Sequence, residues 1–231
     1  MFLAVKYWND FVYLFYPEVC AACNTSLIEG EKYICLQCEY DLPKTDFHLY
    51  RNNTIEKHLT GRIEFEKAAA NYFFTDKSKV QHLIHSIKYK GNKGLAIYTG
   101  KQYGFELKES GFTKGIDVIL PVPLHASKLK QRGFNQAELF AKGLEESTGI
   151  PINTKLLKRL IATPTQTKKS RTQRWENVEA IFAITDTQTL ENKHILLVDD
   201  VITTGSTLEA CAMQVLKCKG SKVSFLTIAC A

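Results

Sequence analysis

Residues 195–212 read ILLVDDVITTGSTLEACA. Four apolar residues run into two adjacent carboxylates, Asp199 and Asp200. Threonines, a glycine and a serine follow, then apolar residues at helical spacing. A short continuous apolar run predicts a strand buried on both faces, as in a parallel sheet. The helix start after it offers unpaired N–H groups and the positive end of the helix dipole. Gly205 lets the backbone approach a ligand, and Thr203, Thr204, Ser206 and Thr207 add hydroxyls. Together these residues predict a cup for a phosphate. Acids beside the cup can accept hydrogen bonds from sugar hydroxyls, so the stretch predicts a site for a ribose 5-phosphate.

Two other folds place acids after such a strand. A response-regulator receiver domain needs most of a domain after its acidic pair, and only about thirty residues remain here. A nucleotide-binding Walker B strand needs a G-x-x-x-x-G-K-[ST] loop, which the sequence lacks. An acid-capped strand end with an ordinary helix cap is the plain structural alternative.

Working outward, the periodicity predicts strands at 67–74, 116–123, 178–184, 194–199 and 222–230. It predicts helices at 2–15, 77–91, 92–110, 132–149 and 206–220, the one at 92–110 weakened by its glycines. Residues 154–160 read as a short helix or turn. Strands alternating with helices mean an α/β domain with a mostly parallel sheet. In such folds ligands sit in the loops beyond the carboxyl ends of the strands, here 121–134, 161–177 and 199–206.

The chain has 231 residues, enough for one domain and a small module. No apolar run reaches the eighteen or so residues of a membrane span. The first residues are broken by Lys6, Asn9 and Asp10 and lack a basic start. No signal peptide or membrane insertion is therefore expected, and the cytoplasm is the default. The net charge is +6. Its excess lies between Glu146 and Glu176, a stretch with no acid that holds Lys155, Lys158, Arg159, Lys168, Lys169, Arg171 and Arg174. Such a block is a solvated face or a partner for an anion.

Of the seven cysteines, Cys20, Cys23, Cys35 and Cys38 form two C-x-x-C pairs. Four thiolates on two knuckles suit a closed tetrahedral structural zinc site; a redox pair is the weaker alternative. Cys211, Cys218 and Cys230 read as small buried hydrophobes, and His48 as a surface residue rather than a ligand. The expected organisation is an N-terminal helix and four-cysteine module at 1–43, a polar linker at 44–62 and an α/β domain at 63–231.

The 195–207 string resembles the phosphoribosyl pyrophosphate (PRPP) signature of type I phosphoribosyltransferases. PVPLHASKLKQRGFNQAELFA, RLIATPTQTKKSRTQRWENV and the paired C-x-x-C motifs resemble the ComF family, which joins a zinc ribbon to a type I phosphoribosyltransferase fold. The resemblance implies that Asp199 and Asp200 are catalytic and bind the ribose hydroxyls, and that Thr203 to Thr207 hold the 5-phosphate. It implies a pyrophosphate loop at Arg132, Gly133 and Phe134, and a flexible loop carrying Thr163, Gln166, Lys168, Arg171 and Arg174. It implies structural zinc, Mg²⁺ arriving with PRPP, and phosphoribosyl transfer to an acceptor with release of pyrophosphate. Residues 63–115 would supply the hood that recognises the acceptor. The family's link to DNA uptake adds single-stranded DNA and uptake machinery such as a helicase as partners. It also leaves open a non-catalytic single-stranded-DNA-binding competence factor that keeps the PRPP pocket for regulation. In that reading Trp175 and Phe134 would stack on bases.

Overall fold

The computed structural model describes residues 17–160 and 181–231. The helix expected at 2–15 and the loop expected at 161–177 lie outside the described residues.

Four strands form a wholly parallel sheet: β1 (Ala68–Phe73), β2 (Val118–Pro121), β5 (His194–Ile202) and β6 (Lys222–Cys230). Their spatial order is β1-β6-β5-β2. The apolar run at 195–198 is buried throughout, as its composition requires. Pro121 pairs with Val198, so β2 ends beside β5 just before the Asp199–Asp200 pair.

Helices α3 (Lys79–Tyr89), α4 (Lys93–Glu109) and α6 (Gln136–Thr148) start at side-chain caps from Ser78, Asn92 and Asn135. The glycines that weaken α4 on propensity have a packing role. A Cβ on Gly100 would sit 2.1 Å from the Phe140 carbonyl oxygen of α6, and one on Gly143 would sit 2.0 Å from that of Ile97. Backbone-to-backbone approach of α4 and α6 excludes any side chain there.

Two sequence expectations need correcting. Residues 154–160 form neither helix nor turn: β3 (Leu157–Arg159) pairs antiparallel with β4 (Phe182–Ile184). Leu157 and Phe182 are both buried, and this long-range pairing and burial leave no local periodic signal. Residues 44–62 are not a free linker. Phe73 N–H donates to the Pro43 carbonyl and Thr45 N–H to that of Asn71, at 2.9 and 3.0 Å. The segment thus covers the outer edge of β1, whose unpaired groups would otherwise be exposed. It then forms α2 (Thr54–Leu59), with Phe47, Ile55 and Leu59 in the core.

The cysteine module precedes this segment and includes α1 (Leu36–Asp41). It docks on α3 and α4. The Tyr33 hydroxyl lies where a Cβ on Gly94 would be, 2.0 Å away. The Tyr98 hydroxyl donates to Glu39 at 2.7 Å, and Lys79 pairs with Asp41 at 3.1 Å. No helix among the described residues is long and apolar enough to cross a membrane.

Candidate functional site

The acids do not end the strand, as the sequence suggested; β5 runs on to Ile202. Successive strand residues face opposite sides, yet the two acids interact: the Asp200 N–H donates to Asp199 Oδ1 at 2.8 Å, and the Asp200 charge acts on the Asp199 carboxyl. Asp199 joins Val201, Thr203, Thr204, Gly205, Ser206 and Thr207 around an open concavity of about 220 Å³. Asp200 pairs with Lys88 Nζ at 2.8 Å, and Lys88 also helps hold the Asp199 carboxyl down. Lys88 lies near the end of α3, and sequence reasoning missed it because its spacing marks it only as a helix-face lysine.

The loop leads into α7 (Ser206–Val215) through Gly205, which is left-handed at φ 73°. In that conformation most side chains are strained. The Thr204 and Ser206 hydroxyls lie 3.0 Å apart. α7 has no side-chain cap, so its first N–H groups gain no partner from the Gly205 position.

Burial first, and then the charge of Asp200, raise the Asp199 carboxyl from the usual 3.8 to about 7. The folded chain thus holds a proton that the unfolded chain releases. That contribution to stability is complete below about pH 4, lost as the pH climbs to about 7, and constant beyond. Asp199→Asn is expected to raise the melting temperature of the ligand-free chain at about pH 8 and to leave it nearly unchanged at about pH 4. At about 1.4 kcal/mol per pKa unit, the gain is a few kcal/mol at most. A lower melting temperature at the alkaline pH would mean that the carboxylate is well paired after all.

After β2 the chain forms a helix that the sequence did not predict, α5 (Ala126–Arg132), with no buried residue. Arg132 is its last residue, and Gly133 closes it in the left-handed region at φ 76°. The Arg132 guanidinium donates to Gln136 at 2.9 Å and lies over the Tyr89 ring, one residue from Lys88. The structure therefore brings Arg132 beside the α3 end that reaches Asp200. Phe134 is different: it is only 9% exposed, with Lys93 over its ring. A buried ring cannot stack on a base, which corrects that expectation. Trp175, Thr163, Gln166, Lys168, Arg171 and Arg174 fall outside the described residues. Their segment is framed by the β3–β4 ribbon, closed by Leu160 N–H on the Ile181 carbonyl at 2.8 Å. Arg159 of that ribbon helps hold the Asp199 carboxyl down.

Residues 63–115, expected to form the acceptor hood, are instead mostly β1, α3 and α4, and their packing belongs to the core. Sequence reasoning also missed α2 and the turn after it, which abut the 203–207 loop. Arg62 and His58 both reach the Thr204 carbonyl oxygen, at 2.9 and 3.1 Å.

The metal-ligand sulfurs of Cys20, Cys23, Cys35 and Cys38 all lie within 4.8 Å of one another. A tetrahedron with Zn–S of about 2.3 Å needs S···S of about 3.8 Å, and Cys23 and Cys35 are 3.7 Å apart. The donor set fits a closed zinc site. His48 is not in the cluster; its ring stands edge-on to Tyr103. Cys211, Cys218 and Cys230 are buried, as expected.

The phosphoribosyl transferase domain family matches residues 146–230, which span the β3–β4 ribbon, β5, the 203–207 loop and β6. The chain is thus an α/β protein whose residues 146–230 are similar to a phosphoribosyl transferase domain. The DNA utilization protein YhgH of Shigella flexneri is 27% identical over 218 residues, 93% of this chain and 87% of that one. Competence protein ComFC of Bacillus subtilis is 26% identical over 213 residues, 91% and 83% of the two chains. The chain is therefore similar along most of its length to proteins named for DNA utilization and competence, and its own four-cysteine cluster fits a zinc ribbon. Among solved structures, the glutamine PRPP amidotransferase of B. subtilis matches with a TM-score of 0.41 and 22% identity, over 58% of this chain and 26% of that one.

Proposed function

We propose that the protein binds PRPP and transfers its phosphoribosyl group to an acceptor, releasing pyrophosphate, in the context of DNA uptake. One observation carries this reading: an acid from the end of a central parallel strand and a Thr/Gly/Ser loop at a helix start line one concavity. The loop takes the 5-phosphate through backbone N–H groups and hydroxyls. Asp199 and Asp200 accept from the ribose hydroxyls. Arg132 faces the pyrophosphate with a planar fork of donors. The acceptor's lone pair forms a bond to C1 of the ribose, while the C1–O bond breaks and its electron pair leaves with pyrophosphate. Mg²⁺ carried by PRPP would spread the charge of that leaving group. Lys88 keeps the acid pair from holding two uncompensated charges. The flexible-loop residues Thr163, Gln166, Lys168, Arg171 and Arg174 are assigned to closing over the ligand and excluding water. The domain division that goes with this reading is a cysteine module to residue 43 and a transferase-like domain beyond it, with 44–62 packed on the latter.

Incubation with PRPP, Mg²⁺ and a panel of acceptors is expected to release pyrophosphate with at least one of them. No release, together with no heat of PRPP binding at about millimolar concentration, would sink the reading, since that corresponds to only about 4 kcal/mol of affinity.

A second reading is a single-strand-binding competence factor that keeps the pocket for regulation. It is favoured by α5, whose Lys128, Lys130 and Arg132 carry charge on a helix with nothing buried. The names of the relatives point the same way. Affinity for single strands is then expected to fall steeply with salt, and to weaken when Lys168, Lys169 and Arg171 are changed to Glu. Binding that is indifferent to salt and survives the reversal would reject it.

A further inference from the structure

The phosphate loop is gripped from outside by a segment more than 140 residues earlier in the chain. His58 Nε2 and Arg62 Nη1 converge on the Thr204 carbonyl oxygen. The second guanidinium nitrogen of Arg62 pairs with Glu209 in the first turn of α7. Leu59 Cδ2 lies 2.8 Å from where a Cβ on Gly205 would stand. The segment is itself anchored to the sheet. Asn53 Nδ2 donates to the Ala68 carbonyl at 2.8 Å, and Ala68 N–H donates to Glu56 at 3.2 Å.

A trans peptide is planar, and its C=O and N–H point in opposite directions. The described residues contain no cis peptide. Donors that hold the Thr204 oxygen on the α2 side therefore turn the Gly205 N–H to the other side. Gly205 lines the concavity with Thr203, Ser206 and Thr207. Glycine is the residue least able to keep its own peptide plane from turning. A turned plane would present a carbonyl oxygen to the phosphate in place of a donor.

We infer that Arg62 and His58 are positioning residues that hold the Thr204–Gly205 peptide with its N–H toward the concavity, and so set how tightly the loop takes a phosphate monoester. This rests on the phosphate-binding reading of the loop.

The test is NMR of protein labelled with ¹⁵N-glycine, whose thirteen glycines give a small set of peaks. Inorganic phosphate, and then PRPP with Mg²⁺, are titrated into the wild type. The Gly205 amide proton is expected to move downfield as it donates to the anion. Arg62→Met is expected to weaken both ligands about tenfold, the worth of one charge-assisted hydrogen bond, and to abolish the Gly205 shift. Arg62→Lys keeps one donor for the carbonyl and restores part of both. A general loss of structure would move every glycine peak and would not be rescued by lysine. Should Arg62→Met fail to fold, His58→Ala removes the other donor and is expected to reduce the shift and the affinity in the same direction. If the variants bind phosphate as the wild type does, with the same Gly205 shift, the clamp is overturned and the phosphate site stands. If wild-type Gly205 responds to neither ligand, the underlying reading falls and takes the clamp with it.

Discussion

A chain carrying both Asp199→Asn and Asp200→Asn is expected to bind PRPP with Mg²⁺ at least a hundredfold more weakly than the wild type. Each carboxylate that accepts from a ribose hydroxyl makes a charge-assisted bond of roughly 1.5–3 kcal/mol. Two such bonds give about 3–6 kcal/mol, or two to four decades of affinity. The double change also leaves Lys88 without the partner it holds at 2.8 Å, so a new positive charge faces the ligand. That offsets part of the loss toward a phosphate and none of it toward the sugar hydroxyls. PRPP and inorganic phosphate therefore separate the roles. PRPP affinity is expected to fall while phosphate affinity holds or rises. Calorimetric titration of both ligands measures this, and equal PRPP binding by the double variant would show that the acids do not touch the ribose. Removing the buried charge of Asp199 relieves the burial penalty and the repulsion from Asp200 that raise its carboxyl to about 7, so lost binding cannot be laid to unfolding from that change.

Loss of the metal is expected to be the larger structural event. The purified chain should hold about one zinc, and Cys38→Ser or a strong chelator should release it. Structural zinc in small modules contributes an apparent 10–16 kcal/mol, roughly. Residues 17–42 have few apolar side chains of their own to replace that. The module is expected to unfold while the parallel sheet persists. Hydrogen exchange would then show protection lost around Cys20 to Leu42 and on the faces of α3 and α4 that carry His82, Gly94 and Tyr98. Those faces are the dock: His82 bonds the Ala22 carbonyl at 3.1 Å, and the Tyr33 and Tyr98 rings are 5.7 Å apart. A folded, reduced sample without zinc, or uniform loss of protection across β5 and β6, would overturn the assignment.

The sequence by itself determined the features that depend on neighbours along the chain. The apolar run at 195–198 had to be a buried strand. Gly205 and the hydroxyls after it had to be a strand-to-helix turn, and Gly149 a helix stop. Two C-x-x-C pairs had to be knuckles of one cluster, because each pair offers two sulfurs within a single tight turn. These signals are local, and local chemistry enforces them.

The features it did not determine all depend on residues far apart in sequence. β3 exists because Leu157–Arg159 finds Phe182–Ile184, and three residues carry too little alternation to announce a strand. α4 reads as poor helix because Gly100 and Gly104 lower its propensity, yet those glycines admit the backbone and side chains of α6. The 44–62 segment reads as a polar spacer because its few apolar residues, Phe47, Ile55 and Leu59 among them, are spread among polar and charged ones. Only the folded chain shows that these three enter the core while Leu49 stays exposed. Lys88, His58 and Arg62 are ordinary surface polar residues in the sequence. What sets them apart is where the tertiary fold delivers them: Lys88 against Asp200, and the other two against the Thr204 carbonyl. A charged group's partner is fixed by distance in space, and the linear order of residues does not encode that distance.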